Sequence, residues 1–145
     1  MTKVTQKSKT IYGLKVRTTN ANEMHPATAK IAKLWGAFFT NIFPTLPEGT
    51  QAYGVYSHYE SDAMGAFDVL AGSEVSKSNL EKVTLEEGTY VCFKVKGELP
   101  QAVIDTWGEI WTYFSSEHCK ETRAYKTDYE LYLNEREAEI YIGVV

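Results

Sequence analysis

The chain has 145 residues, a formal net charge of −4 and a hydrophobic fraction of 43%, which suits one domain with a sizeable core. The mildly acidic balance and scattered basic residues argue against a nucleic-acid partner, which needs a clustered basic surface. No apolar run approaches the roughly 20 residues that cross a bilayer, and the polar opening segment has no signal-peptide core. A cytoplasmic protein is therefore expected, with one domain over 1–145, residues 1–9 as a flexible N-terminal tail, and no membrane partner.

In chain order, Ile11 to Arg17 reads as a first strand. His25-Pro26 marks a helix entry, because proline fits the first turn. Ile31, Leu34, Trp35, Phe38 and Ile42 then form an amphipathic stripe that ends at Phe43-Pro44. Ala52 to Tyr59 and Ala66 to Gly72 read as a hairpin across a polar loop, and Ser73 to Leu85 reads as a polar linker. Thr89 to Val95 is a strong strand. Pro100 opens a second helix with the stripe Val103, Ile104, Trp107, Ile110, Trp111 and Phe114. Lys126 to Tyr132 and Glu139 to Val144 close the chain as another hairpin across Asn134-Glu135-Arg136.

The second half repeats the first. Trp35-Gly36 and Trp107-Gly108 stand 72 positions apart, Tyr56–Tyr59 and Tyr129–Tyr132 stand 73 apart, and Thr10–Val16 and Thr89–Val95 stand 79 apart. The same order at nearly the same offset points to a duplicated βαββ unit. The expected fold is α+β: two such units about a pseudo-twofold, with an antiparallel sheet and two helices packed on one face. A groove between the halves is the natural ligand site.

The residues offer little for catalysis. His25, His58 and His118 share no metal-ligand spacing with Cys92 or Cys119. The two cysteines do not make a disulfide framework, and nothing marks either thiol as activated. His58 is the best-placed candidate for a haem ligand, though a strand-surface position explains it better; no metal or cofactor is expected. Binding is better supported. Ten tyrosines, six phenylalanines and three tryptophans exceed what packing alone asks, because buried hydroxyls need partners. If the halves pack about the pseudo-twofold, Tyr12, Trp35, Tyr53 and Tyr56 converge with Tyr90, Trp107, Trp111, Tyr129 and Tyr132. Such an aromatic cage favours flat or cationic organic ligands. Glu130 stands mid-strand between tyrosines, where glutamate is depleted, and its counterpart in the first copy is Ser57. A buried carboxylate is costly unless paired. Residue parity leaves its face open, since an exposed strand-face glutamate fits the pattern too.

The segments Leu34-Trp35-Gly36-Ala37-Phe38, Tyr53-Gly54-Val55-Tyr56, Phe67–Gly72, Glu87–Tyr90, Trp107–Trp111, Asp128–Tyr132 and Ile140–Ile142 span nearly the whole chain. In them it resembles the GyrI-like effector-binding domains, the ligand-sensing modules of bacterial multidrug-responsive transcription activators. The resemblance implies a duplicated βαββ fold, shared with SOUL-type haem-binding proteins, and a cleft for lipophilic cations. It places Glu130 facing the ligand, with Trp107, Trp111 and the strand tyrosines, Tyr141 among them, as lining. Only about ten polar residues precede the domain where such regulators carry a helix-turn-helix. The resemblance is thus to stand-alone members, including those on integron cassettes. The expected function is binding of amphipathic, cationic small molecules without catalysis, with a separate transcription regulator or gyrase as a further partner. The alternatives are hydrolysis of an electrophilic ligand in the same cleft and a gyrase-inhibitor-like protein-binding module.

Overall fold

The computed structural model describes residues 1–145. Its elements are β1 (Thr2–Gln6), β2 (Lys9–Thr18), α1 (Asn20–Glu23), α2 (Ile31–Ala37), β3 (Ala52–Ser57), β4 (Phe67–Ser73), β5 (Glu81–Leu85), β6 (Gly88–Lys96), α3 (Gln101–Ser115), β7 (Arg123–Asn134) and β8 (Glu137–Val144). All eight strands join one antiparallel sheet in the order β1-β6-β8-β7-β3-β4-β2-β5. Outward from the central β3–β7 pair that order is symmetrical: β4, β2, β5 on one side and β8, β6, β1 on the other. The expected duplication is therefore present as β2-α2-β3-β4 and β6-α3-β7-β8.

Each unit is finished by an edge strand that lies ahead of the other in sequence. β1 precedes the first unit and pairs with β6 of the second, while β5 precedes the second and pairs with β2 of the first. Only Lys7 and Ser8 separate β1 from β2, and only Glu86 and Glu87 separate β5 from β6. A chain advances at most about 3.6 Å per residue. The sheet must curl until its two ends meet, with Gln6 opposite Gly88 and Lys9 opposite Leu85. The inside of the curl is filled by one core that draws on β2 through β8, including Ile11, Val55, Leu70, Tyr90, Tyr129 and Tyr141.

The outer face carries the helices. Leu34 of α2 and Phe38 of the turn that continues it pack on Val69 and Ala71 of the first unit. Val103 and Ile110 seat α3 on Ile140 and Ile142 of the second. Both helices bury one stripe and leave the opposite side in water, as their periodicity predicts.

Four sequence expectations need correction. Residues 1–9 are not a free tail, because Thr2–Gln6 is β1. The stretch Ser73 to Leu85 is not only a linker, because its end, Glu81–Leu85, is β5. Both are short and polar, and their order comes from pairing at a sheet edge, a non-local cause. The amphipathic helix expected from His25-Pro26 starts at Ile31 as α2, after the short α1 over Asn20–Glu23. The Glu23 carboxylate accepts from the Lys30 and Ile31 amides at 2.9 and 3.2 Å, which supplies the cap that Lys30 itself lacks. The helical run then widens into a π turn over Phe38–Ile42 and closes as a 3-10 turn over Phe43–Thr45.

The fourth correction concerns register. Tyr56 points to the helix face with Phe67 and Val69, whereas Tyr129 points into the curl. An offset of 73 would place equivalent residues on opposite faces, since one residue of slip reverses every side chain. Ser57 is therefore not the counterpart of Glu130; the residue opposite Glu130 across the seam is Gly54.

Deleting residues 1–6 is expected to destabilise the protein by about 1–2 kcal/mol, a fall in Tm of about 3–6 °C. An unchanged Tm on thermal unfolding would show that β1 contributes nothing to the fold.

Candidate functional site

From Asp128 to Tyr132, β7 alternates between the two faces. Tyr129 and Leu131 enter the curl, while Asp128, Glu130 and Tyr132 face the helices. Glu130 is 2% exposed and lies at the seam, where a residue from each unit can reach it. Its Oε2 accepts from Trp107 Nε1 on α3 at 2.7 Å and from Tyr56 OH on β3 at 2.9 Å. Its Oε1 accepts from Tyr132 OH at 2.7 Å. No lysine, arginine or histidine pairs with it. Gly54 makes the room: a Cβ there would stand 2.8 Å from both Glu130 Oε1 and Trp35 Cζ2.

Burial pushes the Glu130 carboxyl above its ordinary range, opposed by the bonds from Trp107, Tyr132 and Tyr56. Burial first, and then the neighbouring carboxylate, also raise the Tyr56 and Tyr132 hydroxyls. Both tyrosines thus stay protonated, as donors. Hydrogen bonds to a charged group contribute about 1.5–3 kcal/mol each, which offsets the desolvation of an ion that nothing neutralises.

Asp128, on the same face, shows the contrasting solution. Its Oδ2 accepts from Arg123 Nη2 at 2.6 Å and Tyr59 OH at 2.5 Å, and its Oδ1 from the Gly143 amide at 2.8 Å. This carboxylate is neutralised by a guanidinium within 2.6 Å. Of two fully buried acids on one strand, one has a counter-ion and one does not.

Above Glu130 lies an apolar cleft of about 410 Å³ between α3 and the segment from β3 to β4. Tyr56, Tyr59, Phe67 and Ile31 line one side, and Ile104, Trp107, Gly108 and Trp111 the other, with Asn20, Glu23, Ala63 and Arg123 completing it. The Tyr56 and Trp107 rings meet edge to face at 5.3 Å between centroids and separate the carboxylate from the cleft. Asn20 Nδ2 donates to the Ala63 carbonyl at 2.8 Å and fastens α1 to the β3–β4 loop.

Of the residues expected at the site, Tyr56, Trp107 and Trp111 reach the cleft, and Glu130 stands one ring layer beneath it. Trp35 covers Glu130 from the α2 side, packed edge on against Tyr132 at 5.2 Å, and does not line the cleft. Tyr90 and Tyr141 are inside the curl, where Tyr141 stacks on Tyr129 at 4.6 Å. Tyr12 lies beside a polar hollow with Lys15, Lys77 and Lys82. The tyrosines thus divide between two faces and do not form one cage. Sequence reading missed Tyr59, Phe67 and Arg123. Tyr132, expected among the converging aromatics, shares the parity of Glu130 and donates to it instead of lining the cleft. Arg123 reaches Asp128 across an irregular stretch of β7 in which Tyr125 has a φ of +52°, and no regular strand pattern reveals that pair.

Residues 4–144 match the family model described as integron-associated effector binding protein, Cass2. The chain belongs to this family. A solved relative, an integron cassette protein from the mobile metagenome of Vibrio cholerae, is 43% identical, with a TM-score of 0.94 over 99% of this chain and 95% of that one. A putative transcriptional regulator of Bacillus subtilis, YobU, is 26% identical over 129 residues, 83% of this chain and 78% of its own. The SAV2435 protein, solved with tetraphenylphosphonium bound, shares the fold at 20% identity and a TM-score of 0.77, over 99% of this chain and 93% of its own. The Cass2 assignment and these likenesses agree with the effector-binding fold the sequence resembles.

Gly54→Ala is expected to cost about 1–3 kcal/mol through overpacking at the seam and to displace Trp35 or the carboxylate. Wild-type stability and unchanged tryptophan fluorescence in the variant would show that the seam tolerates the added methyl.

Proposed function

We propose that this protein binds amphipathic organic cations in the cleft between α3 and the β3–β4 segment and releases them unchanged. The observation that carries the reading is Glu130, a buried carboxylate held by three neutral donors with no basic partner. The relative solved with tetraphenylphosphonium, a lipophilic cation, supports it.

The layered geometry explains the preference. A cation resting on the outer face of Tyr56 or Trp107 meets the ring quadrupole directly. Each ring also donates its polar hydrogen to the anion behind it, which raises the electron density of the face it presents. A cation about 7 Å from the carboxylate gains about 2 kcal/mol at an effective dielectric of about 20. Apolar burial against Ile31, Phe67, Ile104 and Trp111 adds affinity that depends little on direction, so selectivity among lipophilic cations is broad.

The same layer speaks against turnover. A general base must come within hydrogen-bond reach of the proton it removes, and Glu130 stands behind the two rings instead of on the cleft surface.

Glu130→Gln is expected to weaken a lipophilic cation about thirtyfold, the equivalent of about 2 kcal/mol, while a neutral ligand of the same shape loses under about threefold. Equal weakening of both, measured by calorimetric titration, would remove the electrostatic role. Because burial raises the carboxyl, its neutral form is favoured in the free fold as pH falls. Cation affinity should therefore decline as pH is lowered through that raised value, and the Gln variant should lose that dependence. The sign for stability is opposite. Relative to the Gln variant, the ligand-free wild type should gain stability as pH falls through the raised value and lose it as pH rises.

A further inference from the structure

α3 is a continuous helix of 15 residues, Gln101–Ser115, with Gly108 at its centre. Glycine is among the weakest helix formers, and a central one needs a reason. The backbone gives none, because Gly108 has no positive φ. Packing gives none either: a Cβ built on Gly108 would meet nothing within 4 Å. The space left open is the cleft. Gly108 lines it next to Trp107, between Ile104 and Trp111 along the helix, and those two flanking side chains are 58% and 50% exposed. Bare backbone at position 108 is thus a notch in a wall of large apolar side chains. Any side chain there would rise between Ile104 and Trp111 and narrow the mouth.

We propose that Gly108 is a specificity-determining residue, the notch that admits the bulk of a branched or polycyclic cation against α3. This rests on the cation reading above and adds a size rule to it. The ligand class is a cation whose charge is wrapped in several rings, and slender cations fit whether or not the notch is open.

The duplication supplies an internal control. Gly36 follows Trp35 as Gly108 follows Trp107, it lies within α2, and a Cβ there also meets nothing within 4 Å. Gly36 does not line the cleft. Alanine at either position should improve its helix and raise Tm by about 2–4 °C, so folding effects are matched between the two.

The test is calorimetric titration of wild type, Gly36→Ala, Gly108→Ala and Gly108→Leu with tetraphenylphosphonium and with the slender trimethylphenylammonium. Gly108→Leu should bind tetraphenylphosphonium at least about tenfold more weakly and trimethylphenylammonium within about twofold of wild type. Gly108→Ala should show a smaller effect of the same sign, and Gly36→Ala should change neither ligand. Undiminished tetraphenylphosphonium binding by Gly108→Leu, or equal loss of both cations, would overturn the size rule alone. Wild-type protein that binds neither cation would overturn the cation reading and the size rule together.

Discussion

An anion buried away from water must be met by a cation or by donors aimed at it, and at Glu130 the fold supplies only donors. They come from three places: Tyr56 on β3, Tyr132 on β7 and Trp107 on α3. One belongs to the first unit and two to the second, so the site exists only when the units are joined along the β3–β7 seam. Gly54 on the first unit then makes the space that the carboxylate of the second occupies. The seam, the helix above it and the cleft beyond meet around a buried carboxyl that has neutral donors and no basic partner.

The exchange of β1 and β5 protects that arrangement. Each unit borrows its edge strand from the chain segment ahead of the other, so the halves cannot separate without breaking both outer pairings. The curled sheet fixes its inner face with a tyrosine-rich core and leaves the outer face to the helices. A stiff platform of this kind suits binding, because the donors around Glu130 are already placed and little ordering remains when a ligand arrives. Asp128 shows how the same strand treats an acid with a structural job: it bonds Arg123, Tyr59 and the Gly143 amide and leaves nothing for a ligand to neutralise.

Much of this was legible in the sequence because it rests on local periodicity. The stripe from Val103 to Phe114 required α3, and the repeated Trp-Gly pairs required two similar units. Glu130 stood out because strands rarely carry a glutamate between tyrosines. What could not be read depends on pairing across the sheet. β1 and β5 are polar and short, and nothing local orders them. The tyrosines follow a period of two on both faces, so composition could not separate Tyr56, at the cleft, from Tyr90 and Tyr141, inside the curl. The aligned copies were one residue out of register for the same reason, which matters for the face of every side chain. Arg123 was hidden by the irregular backbone around Tyr125 that brings it back to Asp128.

The most direct test of the central claim is the ionisation of Glu130 itself, followed by the carbon chemical shift of its labelled side-chain carboxyl across a pH titration. The Gln variant identifies the signal. The expected result is a midpoint above the ordinary glutamate range in the free protein and a downward shift when a lipophilic cation fills the cleft. An ordinary midpoint that a bound cation leaves unmoved would contradict it.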